Sequence, residues 1–224
     1  MSEVEETIIP TVKSLVEEID RIFTKKCEWS ERKEQLSNAL RKVDFSTTES
    51  NKYTFFDAEK PYTRNLIATD NKNYTLLFLC WNAGKESKIH NHPCDGCFIR
   101  TLAGCIKETK YVVDTKNNSI CPAGVKFYCE NQVSYMADDI GLHKIGNPNK
   151  DIGAVTLHLY TPPFSVCKVW SHSGEGQYSK HEEGKVGYFS VYGHRSPHLE
   201  GKPGLHAKLM EEIRTPFVEE GSHI

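Results

Sequence analysis

Apolar residues at Ile8, Ile9, Val12, Leu15, Val16, Ile19, Ile22 and Phe23 recur every three or four positions near the start of the chain. That spacing lines one face of a helix. Pro10 fits there only in the first turn, where a missing backbone donor costs nothing. A second helix is predicted from a cap at Ser30, with Leu36, Leu40 and Val43 turned inward. Helical periodicity then stops. From about Tyr62 to Tyr192 short apolar or alternating runs take over, and strands are predicted over 74–81, 97–102, 104–113, 132–136, 143–146, 154–160, 167–170 and 187–192. Turn residues separate them at Asn82-Ala83-Gly84, Lys116-Asn117-Asn118, Pro122-Ala123-Gly124, Asn147-Pro148 and Ser173-Gly174. Many short strands with hairpin-length gaps argue for a sandwich or barrel and against a βαβ sheet. The expected fold is mostly β, one domain over 1–224 in which a helical part, 1–60, packs on a barrel, 61–197. The tail 198–224, rich in His, Glu, Gly and Lys, has weak periodicity and is expected to be partly disordered.

Charge and composition narrow the partners. The 28 basic and 30 acidic residues nearly cancel, to a net charge of -2, and no long basic run stands out. Neither nucleic acid nor an anionic membrane is therefore expected as a partner. The longest apolar run, 74–81, is far too short to cross a bilayer. The acidic start, MSEVEETIIP, has no basic-then-apolar leader, so a cytoplasmic protein is expected. Eight cysteines in 224 residues are too dilute for a disulfide scaffold. Reduced thiols are the expectation, with Cys27, Cys105, Cys121 and Cys129 as small buried hydrophobes or ordinary free thiols.

The stretch Lys88-Ile-His-Asn-His-Pro-Cys-Asp-Gly-Cys97 carries the first candidate chemistry. On a strand His90 and His92 point the same way, and two imidazoles on one face grip a divalent metal. The same pair also arises by accident on a surface. Cys94-x-x-Cys97 has the spacing of a redox dithiol or half a zinc site. No second such pair lies downstream and no βαβ context surrounds it. In the predicted strand 154–160, Thr156, His158 and Tyr160 share one face, either turned inward at a site or outward to solvent.

Gly84, five residues, His90-Asn91-His92, four residues, Cys97, six residues and Gly104 resemble the first cupin motif in spacing. His143-Lys-Ile-Gly-Asn147 resembles the end of the second, whose usual Pro-x-Gly is missing here. The resemblance implies a jelly-roll barrel with a metal inside, and Cys97 stands where cupins usually carry a glutamate ligand. A site of three neutral histidines, His90, His92 and His143, would keep the ion's full charge and favour an anionic ligand such as a thiolate. Pro61-Tyr-Thr-Arg-Asn-Leu66, Leu79-Cys-Trp81, Gly141-Leu-His143 and Thr156-Leu-His-Leu-Tyr-Thr-Pro-Pro-Phe164 sharpen the likeness. From about residue 9 to Pro197 the chain is similar to the cysteine dioxygenase family.

That resemblance implies a non-haem Fe(2+) enzyme that oxidises L-cysteine with O2 to cysteine sulfinate, within cysteine catabolism and taurine formation. His90, His92 and His143 would bind the iron. Arg64 would hold the substrate carboxylate, with Tyr62 beside it. Cys97 and Tyr160 would form a thioether crosslink. His158 would bond the Tyr160 hydroxyl, oriented by Thr156, and Cys167 would sit near the pocket entrance. The Thr161–Pro162 peptide is expected to be cis and the chain a monomer. Two departures stand out: Gly96 replaces a histidine common in relatives, and Cys94 is an additional thiol. Two rival readings remain: a dioxygenase for 3-mercaptopropionate or cysteamine, and a non-catalytic metal-binding cupin module.

Overall fold

The computed structural model describes residues 8–114, 119–171 and 181–195. The tail 198–224 and the turns expected at 116–118 and 173–174 lie outside the described residues.

The N-terminal part holds α1 (Val12–Thr24), α2 (Trp29–Arg41) and the short α3 (Thr47–Asn51). The first helix starts later than the apolar spacing predicts. Thr11 caps it, its hydroxyl accepting from the Ser14 N–H while Ser14 returns a bond to the Thr11 backbone. Ile9 is left outside, bonded instead to the backbone of Lys42 and Asp44. The second helix begins just before the expected cap, with Glu28 in that position and not Ser30.

Among the described residues thirteen strands follow: β1 (Tyr62–Thr69), β2 (Thr75–Trp81), β3 (Ile89–His90), β4 (Gly96–Ala103), β5 (Cys105–Asp114), β6 (Ser119–Cys129), β7 (Val133–Met136), β8 (Leu142–Gly146), β9 (Ala154–Thr161), β10 (Val166–Trp170), β11 (His181–Lys185), β12 (Ser190–Val191) and β13 (His194–Arg195). One sheet runs β13-β12-β1-β2-β9-β4-β7 and the other β11-β10-β3-β8-β5-β6. The chain switches sheets repeatedly, and the antiparallel pairs nest as β2 with β9, β3 with β8, β4 with β7 and β5 with β6. Such nesting is a rolled-up hairpin, the jelly roll expected of a mostly-β cupin.

The helices explain why β2 reads as a continuous apolar run. Leu76, Phe78 and Cys80 join Phe98, Leu157 and Leu159 in one cluster with Leu15, Ile19, Ile22, Leu36 and Leu40 of the helices. The alternate residues Leu77, Leu79 and Trp81 face the barrel interior with Cys97 and Ile99. Burying both faces removes the polar alternation. Each fully buried aliphatic or aromatic side chain contributes about 1.5–3 kcal/mol. Arg100 ties the layers together: its guanidinium donates to the Leu40, Arg41 and Val43 carbonyls and to Asn131 Oδ1. Those bonds satisfy carbonyls that end α2.

Several expectations need correction. β1 and β6 are strands that the apolar pattern does not predict, because β1 carries the consecutive polar residues Thr63, Arg64 and Asn65 and β6 is exposed along most of its length. Pro122-Ala123-Gly124 is no turn but lies within β6, an edge strand where proline costs no ladder bond; the register slips by one residue opposite Lys110 and Tyr111. The predicted strand 187–192 shrinks to Ser190–Val191. Cys105 and Cys129 are not free thiols: they face each other in the β5–β6 register and are joined by a disulfide. The Thr161–Pro162 peptide is cis, as expected.

Candidate metal centre

His90 ends β3, His92 follows it, and His143 lies directly opposite His90 in β8. The three ring centroids lie 4.7–5.0 Å apart, and one nitrogen from each ring falls within 4.8 Å of the others. Local bonds force this convergence. Asn91 turns away, giving its amide to Asp138 at 3.0 Å and accepting the Lys168 N–H at 2.7 Å. Asp138 also takes the His92 backbone N–H at 2.6 Å, so one carboxylate pins the whole His-Asn-His segment.

The nitrogens are arranged as a metal cradle. His90 Nδ1 lies 2.9 Å from the Lys88 carbonyl, which can only accept, so Nδ1 carries the proton and Nε2 a lone pair. His143 Nδ1 lies 2.7 Å from Glu108 Oε1, which leaves its Nε2 bare in the same way. The two Nε2 atoms then face each other at 3.2 Å. Protonation could bridge them, but burial drives the His90 pKa down to about 4 and those of His92 and His143 well below their usual value. Two opposed lone pairs and a buried, unpartnered His92 Nδ1 fit a cation better than any protein donor present.

Glu108 escaped the sequence analysis. It is fully buried behind His143, and burial raises its pKa. The signal was available, since Ile106 and Glu108 share the inward face of a predicted strand and a carboxylate there is unusual. A carboxylate behind a ligating imidazole fixes the ring and returns negative charge to a site of neutral ligands. Replacing Glu108 by glutamine is expected to weaken divalent-metal binding by about 10–100-fold. Titration of metal-free protein with Fe(II), followed calorimetrically under anaerobic conditions, checks this.

The second cluster lies on β4 and β9. Cys97 and Tyr160 are register partners. His158 Nδ1 sits 3.3 Å from the Tyr160 oxygen and 3.8 Å from Cys97 Sγ, and its Nε2 is 2.9 Å from Thr156 Oγ1. Thr156, His158 and Tyr160 thus face the barrel interior, because the helices cover the other face of this sheet. Burial pushes the Cys97 thiol and the Tyr160 phenol well above their usual values, so both are neutral. Cys94 is similarly pushed up to about 12 by burial. Gly96 has a clear reason: a Cβ there would lie 2.3 Å from the Tyr135 ring, whose hydroxyl donates to the Asp95 carbonyl.

Arg64 reaches in from β1 and donates to the Tyr62 phenol at 2.9 Å. Burial opposes its charge, but Tyr62, Tyr160, Cys167 and Tyr188 around it raise its pKa overall. Among the described residues no carboxylate pairs with it. A small cavity is lined by Arg64, His90, Tyr160, Phe164, Cys167 and Tyr188. It joins His90, one of the three clustered histidines, to the guanidinium. Tyr188, on the segment before β12, carries no mark in the sequence, because it falls in the predicted strand 187–192 as one aromatic among several.

The family model for cysteine dioxygenase type I matches residues 1–173. A cysteine dioxygenase type 1 of Danio rerio is 33% identical over 190 residues, covering 84% of this chain and 90% of that protein. One of Homo sapiens is 34% identical over 165 residues, covering 73% and 80% respectively. Among solved structures, KdgF from Halomonas sp. shares 10% identity at a TM-score of 0.39, over 51% of this chain and 92% of that one, too slight a likeness to build on.

Proposed function

The chain belongs to the cysteine dioxygenase type I family, and from that premise we propose that it oxidises L-cysteine with O2 to L-cysteine sulfinate at an Fe(II) centre. The observation that carries this reading is the convergence of His90, His92 and His143, with His90 lining a cavity that the Arg64 guanidinium also lines. His90, His92 and His143 would hold the iron, which when bound supplies the electron transfer between thiolate and dioxygen. The substrate provides every electron that dioxygen takes, so no reducing cosubstrate is needed.

Arg64 would take the substrate carboxylate in its planar fork. Because Tyr62 accepts from Arg64, the Tyr62 proton is left for the same carboxylate. That anchor fixes the thiol end beside the histidines, an orientation effect. Tyr160, held by His158, would offer its hydroxyl to the reacting group. The Cys97–Tyr160 thioether is part of the same proposal, supported by their facing positions on β4 and β9. Cys167 lines the cavity wall opposite. A carboxylate-reading arginine favours cysteine over cysteamine. We place the enzyme, as a cytoplasmic monomer, in cysteine catabolism toward taurine.

The test is direct. Purified protein should carry iron and consume oxygen with L-cysteine, yielding the sulfinate, and do so much faster than with 3-mercaptopropionate or cysteamine. Oxygen uptake that favoured either rival thiol would reassign the substrate, and none with any thiol would leave a metal-binding module.

A further inference from the structure

We propose that Trp81 is a positioning residue that sets the direction of the hydrogen-bond chain ending on Tyr160. Its indole N–H, given to Thr156, holds His158 in the tautomer with the proton on Nδ1 and so turns the Tyr160 proton toward the cavity. The indole Nε1 lies 2.8 Å from Thr156 Oγ1 and can only donate. Trp81 and Thr156 are both fully buried. Among the described residues the Thr156 hydroxyl has two polar neighbours, Trp81 Nε1 and His158 Nε2. Since the first offers no lone pair, the hydroxyl proton has one acceptor left, His158 Nε2. A buried hydroxyl proton does not go unpaired without cost.

The rest of the chain follows. His158 is neutral, held there by burial and then by the nearby Arg64 charge. A neutral imidazole with Nε2 bare carries its proton on Nδ1, which faces the Tyr160 oxygen. Tyr160 then accepts from His158, and its own proton is free to point at the cavity. With a water or a thienyl sulfur in the indole's place, the Thr156 proton would have a second acceptor, and Thr156 could then accept from His158 Nε2–H. The chain would reverse, and Nδ1 would draw the phenol proton away from the cavity. With an acceptor where the indole stands, the chain satisfies either direction; Trp81, which can only donate, removes the reversed one.

Trp81 also reaches the Arg64 side through Tyr62. Its ring packs tilted against Tyr62, centroids 4.5 Å apart, and Tyr62 accepts from Arg64. One side chain thus backs both the guanidinium and the proton chain.

Two variants test this: Trp81→Phe, and replacement of Trp81 by benzothienylalanine, which exchanges the N–H for sulfur and keeps the ring on Tyr62. The first readout is the pair of 15N shifts of His158 in metal-free protein. The wild type should show the proton on Nδ1 and both variants should show a substantial share of it on Nε2. A wild-type proton on Nε2, or variants that keep the wild-type tautomer, would overturn the proposal. The second readout rests on the cysteine dioxygenase reading: in the benzothienylalanine protein kcat for cysteine should fall about tenfold or more, with KM and iron content held. A reversed tautomer with unchanged kcat would sink the role assigned to the Tyr160 proton. If the wild type did not turn over cysteine, the functional reading would fail while the tautomer result stood by itself.

Discussion

Replacing His143 by alanine is expected to remove thiol-dependent oxygen uptake and to cut iron affinity by more than the roughly 100-fold that losing an outer partner costs. Among the described residues His143 supplies one of three converging nitrogens, and it sits opposite His90 with its Nε2 3.2 Å away. Loss of one imidazole leaves two ligands and turns the remaining lone pairs toward a void. The substitution also strips the buried Glu108 of its partner, which costs about 1–3 kcal/mol of stability. A second variant, His90→Ala, separates the two effects. His90 is bonded to a backbone carbonyl near the surface, and its removal strands no buried carboxylate. Both proteins should lose iron, and only His143→Ala should melt clearly earlier. Wild-type iron content in either one would show that the cradle holds no metal.

Arg64→Ala is expected to lower kcat/KM for cysteine by about 30-fold to 3,000-fold, the loss that follows when one side of a buried charge pair is removed. Lysine should not rescue it, because a point charge cannot reproduce the fork. The effect should be selective. Cysteamine carries no carboxylate, so its turnover should hardly change and the preference for cysteine should collapse. Stability should survive, since among the described residues Arg64 has no acidic partner to strand and its main contact is Tyr62. Unaltered cysteine kinetics would mean that the carboxylate sits elsewhere.

The residues that could be read from the chain were those whose meaning is local. Period-two alternation predicts a shared face for His90 and His92, although His92 falls just past the end of β3, and places Thr156 beside His158 and Tyr160 on one face whatever the rest of the fold does. It does not say which face. The solvated alternative for Thr156, His158 and Tyr160 is removed by Leu15, Ile19, Leu36 and Leu40, distant in sequence, which cover the opposite side of β9. Cys105 and Cys129 show the same limit. Composition suggests free thiols, but their bond depends on the register of an edge strand that the apolar pattern does not reveal. Gly96 reads as a departure until Tyr135, from a neighbouring strand, is found in the space a side chain would need.

Two helices, a run of short strands and four separated motifs in family order were thus determined by the sequence alone, because each depends on spacing within a few residues. Tertiary structure decided what stands behind those motifs: Glu108 under His143, Asp138 under His92, Trp81 under Thr156 and Tyr188 across the cavity from His90. Each of those contacts joins different segments of the chain. Their geometry is set by sheet register and by the closure of the jelly roll, which reward the whole set of pairings at once and leave no mark in any single stretch.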